Sequence, residues 1–255
     1  LLSDCKQHIK ASSNSTPDWN RMDGILLAMD SLGLSSKKEI FDLETQKHLF
    51  GVAAVNSFPP SCRSTALKIL ASSSFVDRDS IQRACHEIAA DSSIQSMAGG
   101  TLLYKTASEA LCVLSQQDLW QPAQESAFEN SLSQLKAVFI NNIVDVRLYG
   151  VKFFKKSIYG NIDRLLANKT NESAVISIGL ASMLLDCVAT ELGRGIADTA
   201  GSHIPTLRRL SRCLLETLQA IPKSSLSSVN YNLLWSISHT ITERESLYFK
   251  MRKNE

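Results

Sequence analysis

The sequence predicts an all-α protein built from paired antiparallel helices, and three observations carry this prediction. Apolar residues recur three and four positions apart, and turn-forming residues divide the 255-residue chain into segments of about 12 to 22 residues. Similar segments also return at a fixed interval. Because a helix with one apolar stripe must bury it against a neighbour, these segments are expected to pack side by side.

The clearest apolar rows lie in the second half of the chain. They are Leu207, Leu210, Leu214, Leu218 and Ile221; Phe128, Leu132, Leu135, Phe139 and Ile143; and Leu148, Val151, Phe154 and Ile158. Only Ala174–Gly179 has a strand-like content of β-branched residues, and we expect the helical run after it to absorb it. Turn-rich breaks are predicted at Ser12–Pro17, Ser57–Ser61, Ala98–Gly100, Gln121–Pro122, Gly160–Asn161, Asn168–Asn171, Gly193–Gly201 and Pro222–Ser228.

A repeat relates three of the segments. Arg63, Lys105 and Arg147 lie 42 residues apart, each early in a helix-like segment that follows another one. Two helices per roughly 40 to 47 residues is the period of HEAT and armadillo repeats. The stretch Asp145–Phe154 is similar to the start of a HEAT inner helix, where the arginine of one repeat can meet the Asp of the next. We therefore predict a HEAT/armadillo-like α-solenoid of paired antiparallel helices.

The predicted organisation has three regions. Residues 1–20 form an N-terminal segment with a Ser/Asn-rich loop, residues 21–160 form HEAT-like repeats, and residues 161–255 continue the repeats. The chain begins Leu1-Leu2-Ser3 without a methionine. We therefore expect a fragment of a longer solenoid.

Composition is that of an ordinary globular protein. Hydrophobic residues make up 44% and charged residues 20%, and the net charge is +2, so no global field attracts nucleic acid. Any contact with nucleic acid must therefore come from local basic patches. No apolar run approaches the ~20 residues that a membrane span requires, and we expect no membrane partner.

The cysteines and histidines predict neither disulfides nor a metal site. The six cysteines form no C-x-x-C pair and mostly lie among apolar residues, which is typical of buried free thiols in a reducing compartment. The five histidines are far apart, and no Cys/His run has zinc-ligand spacing. We expect a cytoplasmic protein with no metal.

No pattern typical of an active site is found. The glycine-rich segment Ala189–Gly201 invites comparison with a nucleotide or S-adenosylmethionine loop, but such loops follow a buried strand. The residues before it, Leu180–Val188, have helical periodicity. We predict no catalytic residue, no cofactor and no enzymatic activity, and an enzyme that uses Gly193–Gly201 is the lowest-ranked alternative.

Three basic clusters are candidates for contact with RNA phosphates or a protein partner. They are Arg147 with Lys152, Lys155 and Lys156; Arg208, Arg209 and Arg212; and Lys250, Arg252 and Lys253. A run of charges is more often a solvated helix face, and that interpretation stays open. Phosphate contacts would make binding strongly salt-dependent.

Two stretches are similar to segments of the thyroid-adenoma-associated protein family, a group of large HEAT-like proteins. Asn20–Met29 (NRMDGILLAM) resembles the family's N-x-x-H-G-x-L-L-Q segment, with Asp23 in place of His and Ala28 in place of Gln. Val144–Phe154 resembles its V-R-L-x-x-L-x-F-L segment. The two stretches cover roughly a tenth of the chain and are partly generic to amphipathic helices.

The resemblance implies a specific role. Members of that family are non-catalytic partners of a ribose 2′-O-methyltransferase that modifies the tRNA anticodon loop, so the expected partners are that methyltransferase, acting in trans, and tRNA. The alternative is a protein-only α-solenoid, such as a transport receptor or an assembly factor, with no RNA role.

Overall fold

The structure is a computed structural model that describes residues 19–33, 35, 41–119, 125–168, 171–194, 203–221, 235, 238, 239 and 242. These residues form helices and turns without a strand, which confirms the all-α prediction. The helices are α1 (Trp19–Ser31), α2 (Leu43–Ala54), α3 (Pro60–Ala71), α4 (Arg78–Ala90), α5 (Gly100–Leu119), α6 (Glu125–Phe139), α7 (Val144–Asn168), α8 (Asn171–Arg194) and α9 (Ile204–Ala220). A short 3-10 helix, Ser92–Ser96, lies between α4 and α5.

Local capping sets where several helices begin. Asp42 precedes α2, and its carboxylate accepts a hydrogen bond from the Thr45 N–H at 2.7 Å. The first N–H groups of a helix have no intrahelical acceptor, so this bond defines the first turn. In α3 and α9 a proline, Pro60 and Pro205, occupies the first turn, where its missing N–H costs no hydrogen bond.

The chain divides into two compact units, Leu1–Leu114 (unit 1) and Ser115–Glu255 (unit 2). In unit 1, α3 packs against α1, α2 and α4, and α2 also packs against α4. In unit 2, α6 packs against α7 and α8, and α9 packs against the same two helices, which also contact each other. The packed pairs in both units thus include consecutive helices, such as α2 and α3, and helices two apart in the chain, such as α6 and α8.

Glycine lets the helices of unit 2 approach one another closely. A Cβ at Gly150 would lie 2.5 Å from Val138 Cγ1, and one at Gly179 would lie 2.9 Å from Phe128 Cζ. Side chains do not tolerate contacts this short, so both glycines are required where α7 and α8 lie against α6.

The predicted breaks have mixed outcomes. Asn168–Asn171 does separate two helices, and Ala174–Gly179 is helical, as predicted. The break at Gly160–Asn161 is wrong, because both residues lie inside α7. One interior glycine costs only about 1 kcal/mol of helix propensity, which is too little to end a helix that packs along its length. Residue 160, where one predicted region ends, thus lies inside α7, just as the division between the compact units lies inside α5.

Other predicted breaks fall on residues outside the described ranges: Ser12–Pro17, Gln121–Pro122, Gly195–Gly201 and Pro222–Ser228. At Ala98–Gly100 the break is present and has a clear cause. Gly99 has φ +83°, and a Cβ on Gly100 would lie 1.9 Å from the Ile94 carbonyl oxygen. Both positions therefore require glycine at the turn into α5.

Helix α8 is long and apolar enough to cross a bilayer, contrary to the expectation from sequence. Of its most apolar 18-residue window, 61% is buried inside the protein, and α8 packs against α6, α7 and α9. A central helix surrounded by neighbours is apolar on most of its faces. The composition of α8 follows from this position in unit 2.

Candidate nucleic-acid interface

A buried polar side chain joins the two helices of each of three hairpins. The Arg63 Nε donates to the Ala53 carbonyl, near the end of α2, at 2.9 Å. The Tyr104 hydroxyl donates to the carbonyl of Asp91, which caps α4. The Arg147 Nη1 donates to the carbonyl of Asn141, in the turn after α6, at 2.7 Å. Each bond satisfies a carbonyl that has no partner within its own helix.

The 42-residue spacing therefore has a physical basis, with one correction. Arg63 and Arg147 are both the fourth residue of their helix and are both buried. Lys105, predicted as the middle member, is exposed. The neighbouring Tyr104 is fully buried and makes the equivalent bond.

Arg147 is held by a carboxylate from the next hairpin. Its Nη2 donates to Glu191 Oε1 at 3.2 Å, and its Nε lies 3.1 Å from Glu191 Oε2. The Arg194 Nη1 lies 3.4 Å from the same Oε2, and its Nη2 donates to the Ile140 carbonyl. One buried carboxylate thus lies between two guanidinium groups that also bind the α6–α7 turn.

This geometry removes Arg147 from the set of solvent-facing candidates. Its side chain is 4% exposed, and that of Glu191 is 1% exposed. The expected partner of this arginine is an Asp of the next repeat, whereas the residue that Arg147 meets is Glu191 of the following helix. Sequence analysis missed Glu191, although a carboxylate seven residues after Leu184 on the buried row of α8 is a signal of a paired charge.

The lysines of α7 lie where sequence analysis placed them, on the side away from the core. Lys152 and Lys156 are exposed and Lys155 is half-buried, whereas Val151 and Phe154 between them are buried. Lys152 and Lys156 are i,i+4 neighbours of like charge, an arrangement that destabilises a helix by about 0.2–0.5 kcal/mol. Among the described residues neither has an ion-pair partner.

The arginines of α9 form the second cluster. Arg208 and Arg212 are exposed, and Arg209 is half-buried. The Arg212 Nε lies 3.3 Å from Glu216 Oε1, a pair exposed enough to contribute little to stability. The Arg209 Nη1 is buried and makes no hydrogen bond to any described residue.

Helix packing brings these two clusters together at Cys213. Burial raises the pKa of the Cys213 thiol to about 12, and Glu216 raises it further, while the charges of Lys155 and Arg212 oppose the rise. The two clusters lie on helices that pack against each other, α7 and α9, and the charges of Lys155 and Arg212 both act on this thiol. We call the six residues Lys152, Lys155, Lys156, Arg208, Arg209 and Arg212 the α7–α9 basic cluster.

Charge is concentrated in these two helices. Helix α7 carries five cationic and two anionic side chains, and α9 carries three and one, so together they hold a formal charge of +5. The whole chain holds only +2, so the remainder is net negative. A local positive field on a nearly neutral protein is the pattern expected of a phosphate-binding surface.

The other candidates do not add to this cluster. Lys250, Arg252 and Lys253 lie outside the described residues. Within the described ranges no group of three His, Cys, Asp or Glu side chains could hold a metal ion. Cys62, Cys85, Cys112, Cys187 and Cys213 are buried and free, which confirms the thiol prediction for five of the six cysteines.

Burial also keeps these thiols unreactive. It raises the pKa of Cys62 to about 11 and that of Cys85 and Cys187 to about 12. Because the thiolate is the nucleophile, these cysteines are not set up for covalent catalysis at neutral pH.

No family model, curated protein or solved structure matches this chain.

Proposed function

We propose that this chain is a non-catalytic helical-repeat scaffold of the HEAT/armadillo type that contacts RNA phosphates through the α7–α9 basic cluster. The solenoid assignment is supported by the packing within each unit, where the packed pairs are consecutive helices or helices two apart in the chain. It is also supported by the recurring bond from the second helix of a hairpin to the end of the first. A stack of such hairpins is the arrangement of an α-solenoid.

The observation that carries the RNA role is the packing of α7 against α9, the two helices that carry the exposed lysines and arginines of the cluster. Two basic clusters more than 50 residues apart in sequence thereby form one surface. Such a surface can follow successive phosphates, which lie several ångströms apart. The cost of keeping Lys152 and Lys156 as like-charged neighbours favours a functional role for the cluster over a merely solvated face.

The specific role we propose is assistance to a tRNA ribose 2′-O-methyltransferase. In this proposal the scaffold holds the tRNA anticodon loop for a partner enzyme that binds the methyl donor, in a cytoplasmic complex without a metal. The proposal rests on the resemblance of Asn20–Met29 and Val144–Phe154 to the thyroid-adenoma-associated family. The basic cluster agrees with it but does not identify the partner.

A second candidate is a protein-only scaffold, and Leu215 favours it. This residue is 60% exposed and follows Arg208 and Arg212 on one face of α9, at positions i, i+4 and i+7. Arginine is enriched at protein interfaces, and the exposed Leu215 beside two arginines offers apolar area that a protein partner can cover.

Affinity capture of the protein from cells, with and without nuclease, tests both candidates. Recovery of a ribose methyltransferase together with tRNA supports the first. Capture of transport or assembly factors that is insensitive to nuclease, with neither tRNA nor a methyltransferase, contradicts it and supports the second.

Direct binding to purified tRNA tests the cluster. Lys152→Glu with Lys156→Glu is expected to weaken binding, and the matched control is Lys47→Glu with Lys105→Glu, two exposed lysines of unit 1. Equal losses in both double variants would mean that the cluster has no special role. For the protein-only scaffold, Leu215→Ser is the variant expected to lose partner capture.

A further inference from the structure

Arg63 is a buried guanidinium group that the protein satisfies on one side only. The residue is 2% exposed, and its Nε donates to the Ala53 carbonyl. Its Nη1 is buried and has no hydrogen-bond partner among the described residues. A charged donor without an acceptor is costly in the interior, so this atom points to a missing partner.

Arg63 lines a cavity of about 200 Å³ in unit 1, together with Asn56, Glu87 and Asp91. Ala84 and Ile88 supply an apolar wall. Asn56 and Glu87 are exposed, so the cavity opens to solvent on their side. The space is large enough for a small organic molecule and much larger than one water needs.

The charges around the cavity are fixed in position. Asp91 Oδ1 accepts from the Ser93 N–H at 2.9 Å and from the Ser93 hydroxyl at 2.6 Å, and Asp91 Oδ2 lies 3.4 Å from Asn56 Nδ2. These bonds to Ser93 are the main reason why the pKa of Asp91 lies below its ordinary value, and the charge of Arg63 adds to the effect. Asp91 and Arg63 interact through their charges without forming an ion pair. The cavity is therefore lined by one cationic and one anionic group that do not neutralise each other by direct contact.

In unit 2, Arg147 occupies the position that corresponds to Arg63, and there a carboxylate fills the space beside the guanidinium group. Arg147, like Arg63, is the fourth residue of its helix and donates to a carbonyl at the end of the preceding one. In unit 2 the carboxylate of Glu191, from the next hairpin, accepts a hydrogen bond from the guanidinium group of Arg147 and balances its charge. In unit 1 the next hairpin offers Asp91, which is turned to Ser93, and a cavity lies beside the guanidinium group.

The charge balance selects the ligand. A simple anion such as phosphate would be attracted by Arg63 but repelled by Glu87 and Asp91. A simple cation would be attracted by the two carboxylates but repelled by Arg63. A zwitterion satisfies both sides, with its carboxylate on Arg63 and its ammonium group toward Glu87 and Asp91. We propose that the Arg63 cavity is a binding site for a small zwitterion of the α-amino acid class.

Four probes test this assignment on the full chain: L-alanine, N-acetyl-L-alanine, L-alaninamide and inorganic phosphate. Binding is followed by NMR, from the side-chain N–H signals of Arg63 and the backbone amides of Glu87 and Ile88. L-alanine is expected to shift these signals at millimolar concentration. The acetylated probe, which lacks the ammonium group, and the amide, which lacks the carboxylate, should each bind about tenfold more weakly, the effect of losing one charge-assisted bond.

A surface variant separates binding from folding. Glu87→Gln removes one carboxylate from the rim and is expected to weaken L-alanine binding, while the control Glu44→Gln, at an exposed position of α2 outside the cavity, should leave it unchanged. No shift with any probe would mean that the cavity holds only water and would overturn the proposal. Equal binding of L-alanine and N-acetyl-L-alanine, or of phosphate, would overturn the zwitterion assignment.

Discussion

Arg147 and Glu191, 44 residues apart in sequence, form an ion pair that is sealed from solvent inside unit 2. The pair joins the start of α7 to the end of α8, and Arg194 adds a second guanidinium group to the same carboxylate. Removing one member of a buried pair leaves the other charged and without compensation.

Glu191→Leu is therefore expected to lower the free energy of unfolding by about 3–5 kcal/mol, measured by urea denaturation. The double variant Arg147→Met with Glu191→Leu should recover part of this loss, because it leaves one fewer uncompensated charge. Additive losses in the double variant would contradict the coupling between the two residues.

Gly150→Ala is expected to destabilise the protein by about 1–3 kcal/mol, because the new Cβ would lie 2.5 Å from Val138 Cγ1. The matched control is Gly51→Ala in α2, where a Cβ meets nothing within 4 Å. That change should stabilise the helix by roughly 0.5–1 kcal/mol. Thermal denaturation of both variants checks the prediction, and equal effects would mean that α6 and α7 do not approach closely at this point.

Tyr104→Phe removes the hydroxyl that donates to the Asp91 carbonyl and leaves the aromatic ring in place. We expect a loss of about 1 kcal/mol in the free energy of unfolding, the net value of one such bond. Lys105→Ala, at the exposed neighbouring position, serves as the control and should have little effect. A larger loss for Lys105→Ala would mean that the 42-residue spacing marks Lys105 after all.

The buried thiols predict a loss of stability at alkaline pH. Their ordinary pKa is 9.0, and burial raises it to about 12 in Cys85 and Cys187. The unfolded chain therefore loses these protons at lower pH than the folded protein, so the stability that depends on them is complete below pH 9 and falls as the pH rises from 9 toward 12. Urea midpoints between pH 7 and pH 11 measure this, with Cys85→Ala expected to flatten the fall.

Lys152→Glu should separate binding from stability. It converts a repulsive i,i+4 pair with Lys156 into an attractive Glu–Lys pair, so the helix should gain about 0.2–0.5 kcal/mol of stability. Affinity for tRNA should fall, and the slope of log affinity against log salt should decrease by roughly 0.7–0.9 for each phosphate that the variant no longer neutralises. Unchanged affinity at low salt would exclude Lys152 from the binding surface.

Much of the local structure follows from the sequence. The apolar rows that contain Phe128, Phe154 and Leu210 do identify buried helix faces. Residues three and four positions apart lie on the same face of a helix, and an apolar face is buried against a neighbour. The 42-residue recurrence located two of the three polar anchors, Arg63 and Arg147, because hairpins of similar length bring a polar side chain back to a similar turn.

What the sequence by itself determined is therefore the helical class, the breaks at Ala98–Gly100 and Asn168–Asn171, and the location of the lysine face of α7. The tertiary structure decided that Gly160 lies within a helix, that Tyr104 replaces Lys105, and that Arg147 pairs with Glu191 rather than with solvent. It also packed α7, which carries the lysines, against α9, which carries the arginines. These outcomes depend on contacts between helices distant in sequence, and periodicity records which face of a helix is covered but not what covers it.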